Sequence, residues 1–135
     1  MGAQQQMLLA AAAAGLIVSI QPIAITIAGG ASTNTQTVTS VTTANSCIVF
    51  GGCQNTDSTT IDGSNDYGYL TLTNSTTVTA TRAGTAATTL TIKGTLIQWK
   101  SSAIKSIQTG TIVIGSGATS NTATITSVTA TNAIC

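Results

Sequence analysis

The feature that most constrains this chain is a stretch it uses twice. Ile17-Val-Ser-Ile-Gln21 returns as Ile104-Lys-Ser-Ile-Gln108 at an offset of 87 residues, and the match runs on without a gap. Ile25 and Ile27 fall on Ile112 and Ile114, and Gly30-Ala31 falls on Gly117-Ala118. Asn34-Thr35 falls on Asn121-Thr122, Thr39-Ser-Val-Thr42 on Thr126-Ser-Val-Thr129, and Asn45 on Asn132. About half of the 32 positions aligned between 17–48 and 104–135 are identical, more than a Thr-rich composition produces by chance. A repeat of this kind is one supersecondary unit used again, so it dictates the architecture. In both copies apolar and polar residues alternate and then meet a Gly/Ser/Asn cluster, the pattern of strand, turn, strand.

The same alternation continues between the copies. Strands are expected at 17–27, 35–43 and 46–50, then at 67–73, 76–82 and 88–99, and in the second copy at 104–114 and 121–130. Thr occupies 29 positions, and its β-branched side chain favours strands. Turn residues recur at the 8–12-residue spacing typical of sandwiches and barrels, and no stretch after residue 15 has helical periodicity. The expected fold is an all-β antiparallel sandwich of about eight short strands over residues 17–135. Its core would be Ile, Val, Leu and Ala, because the only aromatics are Phe50, Tyr67, Tyr69 and Trp99.

Residues 7–31 read alone resemble a membrane span or a signal peptide. No Lys or Arg precedes the apolar run, against both readings. The repeat also puts 17–27 in register with 104–114, whose Lys105 and alternating Thr-Ile-Val-Ile read as a strand. The apolar helix then shrinks to residues 3–14, too short to span a bilayer. Ala, Leu, Met and Gln favour helix, and Gly15 sits where one would stop. A helix apolar on nearly every side must be buried in something. Residues 1–16 are therefore expected to anchor the chain in a partner protein or in copies of itself, with Met7, Leu8, Leu9 and Leu16 as the anchoring side chains.

Charge narrows the function classes. Charged residues make up 5% of the chain: Arg82, Lys93, Lys100 and Lys105 against Asp57, Asp62 and Asp66. A soluble domain usually carries about a quarter, so much of this surface is expected to be covered by other subunits. Net charge +1 offers no basic patch for nucleic acid. The absence of His removes Ser–His and Cys–His nucleophile pairs. Without Glu, and with three Asp in one loop, paired catalytic carboxylates are not expected either. No catalytic residue, cofactor or enzyme activity is expected.

Three weaker features complete the reading. Asp57, Asp62 and Asp66, with Asn55 and Asn65, are hard oxygen donors of the sort that hold calcium, although their spacing is not that of an EF-hand and a solvated polar loop is the simpler reading. Cys47 and Cys53 either bridge across a hairpin or stay as free thiols at small packed positions, and the odd total of three cysteines favours the latter. Trp99 with Tyr67 and Tyr69 either stack on a sugar or, as packing favours, lie on the core and strand faces.

Two segments carry a family resemblance. Ile104-Lys-Ser-Ile-Gln-Thr-Gly-Thr-Ile112 and Leu70-Thr-Leu-Thr-Asn-Ser-Thr-Thr-Val-Thr-Ala-Thr-Arg-Ala-Gly84 resemble the small β-domains of structural proteins in tailed bacteriophages, of the minor tail, fibre or capsid-decoration type. In those, an Ile-x-Ser-Ile-Gln-x-Gly strand precedes a Thr/Ser-Val-Thr strand, and a Thr-x-Val-x-Ala-x-Arg hairpin follows. The resemblance covers residues 17–130, and the Gln-Gln-Met-Leu-Leu start is similar to short apolar N-termini of such proteins. Thr109 departs from the pattern, standing where a basic residue often follows Ser-Ile-Gln. The resemblance implies a virion location, other capsid or tail proteins as partners, and a homo-oligomer with a trimer preferred. The alternative from another class is a membrane-anchored or secreted surface filament or adhesin subunit.

Overall fold

The computed structural model describes residues 15–56, 66–108 and 110–129. It contains six strands: β1 Ile17–Ile27, β2 Thr33–Thr37, β3 Ser46–Asn55, β4 Gly68–Asn74, β5 Thr77–Arg82 and β6 Leu90–Trp99. They form two antiparallel three-stranded sheets, ordered β1-β6-β3 and β2-β5-β4. The alternation in the sequence decides the faces. Ile23, Ile25 and Ile27 of β1 point inward and are buried, while Pro22, Ala24 and Thr26 between them are exposed. Leu90, Ile92 and Leu96 of β6 meet them in one core with Val78 and Ala80 of β5 and with Val38 and Val41 beyond β2. Each fully buried Ile or Leu contributes about 1.5–3 kcal/mol relative to exposure.

β1 and β2 are consecutive but belong to different sheets. The chain turns a corner at Gly30, whose φ of 81° is open to glycine and costly for other residues. After β2 the chain leaves its ladder and hooks onto the β4–β5 turn, Val38 N donating to Thr76 O at 2.9 Å and Val41 N to Ser75 O at 2.8 Å. A single 3₁₀ turn, Thr43–Asn45, then leads into β3.

The corner is held by Arg82 at the end of β5, which is 1% exposed. Its guanidinium donates to four main-chain carbonyls: Ala31 at 2.9 Å, Thr88 at 2.9 Å, Ala28 at 3.0 Å and Ala86 at 3.1 Å. Two belong to the β1–β2 corner and two to the β5–β6 connection, so one side chain joins both. A planar fork of five donors suits this task, and carbonyl dipoles here receive a charge that burial alone would penalise.

The expected all-β class holds, with differences in strand number and extent, among them a second strand that ends at Thr37 and not at residue 43, because the chain there leaves its ladder for the β4–β5 turn. Six strands are present among the described residues, not about eight, because 104–114 and 121–129 form none. A strand needs a ladder neighbour as well as the right residues, and both sides of β6 are already taken by β1 and β3. The two-sheet body thus spans Ile17–Trp99. The third strand is longer than expected, because Gly51-Gly52 is not a turn. It forms a bulge between Phe50 and Gly52 opposite β6, with Gly52 at φ 131°, the kind of conformation a bulge asks of glycine. The expected helix at 3–14 lies outside the described residues.

Candidate assembly surface

An edge strand exposes unpaired N–H and C=O groups and so invites strand addition. β1 is an edge strand, and side chains cover it. The Gln36 Oε1 accepts from Ala24 N at 3.0 Å and its Nε2 donates to Pro22 O at 3.3 Å, while Asn34 Nδ2 donates to Thr26 O at 2.7 Å. Pro22 contributes no N–H at all. Further along, the Gln21 amide acts as a strand surrogate for Thr39, donating to its O at 3.0 Å and accepting from its N at 2.7 Å. Gln36→Ala should lower stability by about 0.5–1.5 kcal/mol, read as a shift in the urea midpoint at unchanged slope, and should raise concentration-dependent association through the uncovered edge.

The second copy keeps most of this internal frame. Gln108 Nε2 donates to Thr126 O at 3.1 Å and Gln108 Oε1 accepts from Thr126 N at 2.6 Å. Asn121 Nδ2 donates to Val113 O at 2.6 Å, as Asn34 does to Thr26, and its Oδ1 accepts from Thr122 N at 2.8 Å, as Asn34 Oδ1 does from Thr35 N. Gly117 has φ 81°, the value at Gly30. What differs is the surroundings. Ile25 and Ile27 are 2% and 0% exposed, whereas Ile112 and Ile114 are 54% and 55% exposed. Val113, Ile125 and Val128 are exposed too. Of the three edge guards, Asn34 is kept as Asn121, while Gln36 is replaced by Ala123 and Pro22 by Thr109. The chain therefore presents a folded corner with an apolar face, no ladder neighbour among the described residues, and an edge that keeps the Asn121 amide but has lost the one matching Gln36.

The other candidate residues do not gather into a site. Met7, Leu8, Leu9, Asp57 and Asp62 lie outside the described residues. Leu16 is exposed, and its carbonyl accepts from Lys100 N at 2.9 Å. Asp66 Oδ1 accepts from Asn55 Nδ2, and no cluster of three metal-binding side chains occurs among the described residues. Cys47 and Cys53 are both free and lie on the same strand, β3. Six residues of extended chain separate them by about 20 Å, far beyond the Cα separation a disulfide spans, so the bridge across a hairpin is not formed. The Cys53 Sγ instead donates to Gly68 O at 3.7 Å. Both thiols should alkylate in the unfolded, unreduced chain, and reductant should leave the melting temperature unchanged.

Tyr67 and Tyr69 are 59% and 58% exposed, so of core or strand-face packing the core is not where they lie, and Tyr69 sits on an open face of β4. Nor do they converge with Trp99. An added Cβ on Gly68 would touch Ile92 and Leu90 near the start of β6, whereas Trp99 ends that strand seven residues beyond Ile92, about 23 Å away. Sequence reasoning missed Arg82, which reads as one of four scattered charges. The signal that could have found it was its place at the end of an alternating Thr/Val/Ala strand, where its parity puts it on the buried face.

Comparison with family models, with curated proteins and with solved structures gives no match. No helix among the described residues is long and apolar enough to cross a membrane.

Proposed function

We propose that this chain is a non-enzymatic structural protein of a phage-like virion, a decoration, fibre or minor tail component. It assembles through its apolar N-terminal segment and its β-strand edges, as a homo-oligomer for which a trimer is preferred. One observation carries attachment to another protein in this reading: the 104–129 corner, whose Ile112, Ile114, Ile125 and Val128 are exposed with no ladder neighbour among the described residues. Strand addition of this type derives affinity from main-chain hydrogen bonds and specificity from alternate side chains. The low charge of the chain and the resemblance at 70–84 and 104–112 support the same reading. Residues 1–16, with Met7, Leu8, Leu9 and Leu16, are assigned the anchoring role, and no residue is assigned a catalytic one.

The experiment is light scattering of the full-length chain after gel filtration without detergent, with electron microscopy of the same fraction. A defined soluble oligomer or regular filament with its N-terminus intact is expected, and its stoichiometry separates a knob from a fibre. Solubility only in detergent, or loss of the first 20–30 residues, would replace this reading by a membrane-anchored or secreted filament subunit.

A further inference from the structure

We propose that residues 104–129 are the first strand pair of a second two-sheet body, and that they dock onto a partner polypeptide that supplies strands of the β3–β6 kind and lacks a first pair of its own. The inference rests on the assembly reading above and names the partner for that surface.

The first copy states what covers the second. In the body, Ile23, Ile25, Ile27, Val38 and Val41 enter the core, with β1 on β6 and β2 on β5. The matching positions in the second copy are Gly110, Ile112, Ile114, Ile125 and Val128. Four of the five keep a branched aliphatic, yet all five are exposed. The carbonyls of Ala28 and Ala31 that receive Arg82 correspond to those of Gly115 and Ala118. The partner therefore needs an alternating Leu/Ile strand antiparallel to 107–114, a strand against 120–124, and an arginine aimed at the corner.

A second copy of this chain does not meet the requirement. Each chain carries two such pairs, and its described residues offer one set of acceptor strands. Among the described residues, exchange between copies moves pairs among acceptors and leaves one pair per copy uncovered. Two residues also tune the unit away from its own acceptor. Gly110 leaves empty the space that Ile23 fills. Ser116 replaces Gly29, where an added Cβ would lie 2.2 Å from the Ala87 carbonyl oxygen, a backbone atom that cannot step aside alone. The partner should carry a larger side chain opposite Gly110 and a connection that recedes where Ala87 stands. A binding site that rejects near-identical competitors by a hole and a clash achieves specificity by penalising the wrong pairing.

The test supplies acceptor strands in line, so that effective concentration is high. Residues 49–99 of this chain are appended after Cys135, which keeps the register of the repeat. Two fusions are compared, one otherwise unchanged and one carrying Gly110→Ile and Ser116→Gly, with the full-length chain as reference. Amide hydrogen exchange is read over 107–128. In the full-length chain these amides, apart from Ala118, Thr122 and Thr126, whose N–H groups are bonded within the corner, should exchange at the free-chain rate at any concentration. In the Gly110→Ile/Ser116→Gly fusion exchange should slow by about 100-fold or more, as for amides that open only by sub-global unfolding. The unchanged fusion should be protected at least about 10-fold less. Adding Ile112→Asp and Ile114→Asp should abolish the effect. Free-chain exchange in both fusions would overturn the proposal, as would equal protection in both or concentration-dependent protection in the full-length chain alone. Oligomer formation through residues 1–16 does not enter this readout, so the assembly reading can fail or hold separately.

Discussion

Arg82→Ala should destabilise the folded chain by about 3–5 kcal/mol, enough to unfold a body of marginal stability. The loss has two sources. Carbonyls of Ala28, Ala31, Ala86 and Thr88 would give up their shared donor in a region where water cannot replace every bond. The truncated side chain would also leave a cavity at the meeting point of the β1–β2 corner and the β5–β6 connection. For a body of this size each kcal/mol lowers the melting temperature by about 4–8 °C, so a fall of at least about 12 °C is expected. Arg82→Lys is the informative control. An ammonium keeps the charge but presents a compact point in place of a planar fork, so it should recover only part of the loss. A Lys variant as stable as the parent would show that charge, and not the four-way geometry, holds the corner. An Ala variant within about 0.5 kcal/mol of the parent would show that the corner holds without any side-chain tie.

The second large effect is a contrast between two isoleucines in matching positions of the repeat. Ile25→Ala should cost about 2–5 kcal/mol, because it opens a cavity in a core that cannot collapse around it. Ile112→Ala should change the stability of the body by less than about 0.5 kcal/mol, because Ile112 has half its surface in water already. Chemical denaturation of the two variants beside the parent measures both. Equal costs would mean that the second copy is packed as the first is, and that the body extends beyond Trp99. The same contrast at Ile27 and Ile114 provides an independent pair.

These predictions trace where sequence reasoning succeeded and where it stopped. Period-two alternation located five of the six strands and a short apolar run the third, although β2 ends at Thr37 and not at residue 43, because side chains on a strand point to opposite faces whatever lies beyond them. The repeat announced strands at 104–114 and 121–130, which do not form, but its corner bonds do, since Gln108, Asn121 and Gly117 carry the short-range bonds and the left-handed turn within the segment. Those bonds span at most 18 residues, and the residues that make them are visible in the sequence. Gly51-Gly52 looks like a turn, but a bulge opposite Lys93 and Gly94 uses the same freedom of φ. The local signals of the two features are alike, and only the neighbouring strand distinguishes them.

By itself the sequence determined the β class, the approximate places of the six strands up to Trp99, the reuse of one corner and the poverty of charge. Only the tertiary structure decided which copy of the corner is completed. Copy one finds β5 and β6 and becomes core, while copy two meets a β6 whose two sides are occupied. Only the tertiary structure brought Arg82 to carbonyls about 50 residues upstream in the chain. Only it placed Cys47 and Cys53 along one strand, and Tyr67 and Trp99 toward opposite ends of the fold. The physical reason is common to all of these. Alternation, turn chemistry and short side-chain bonds are local, so a segment carries them wherever it goes. Ladder pairing and burial belong to pairs of segments, and a slot already filled cannot be read from the segment left outside it.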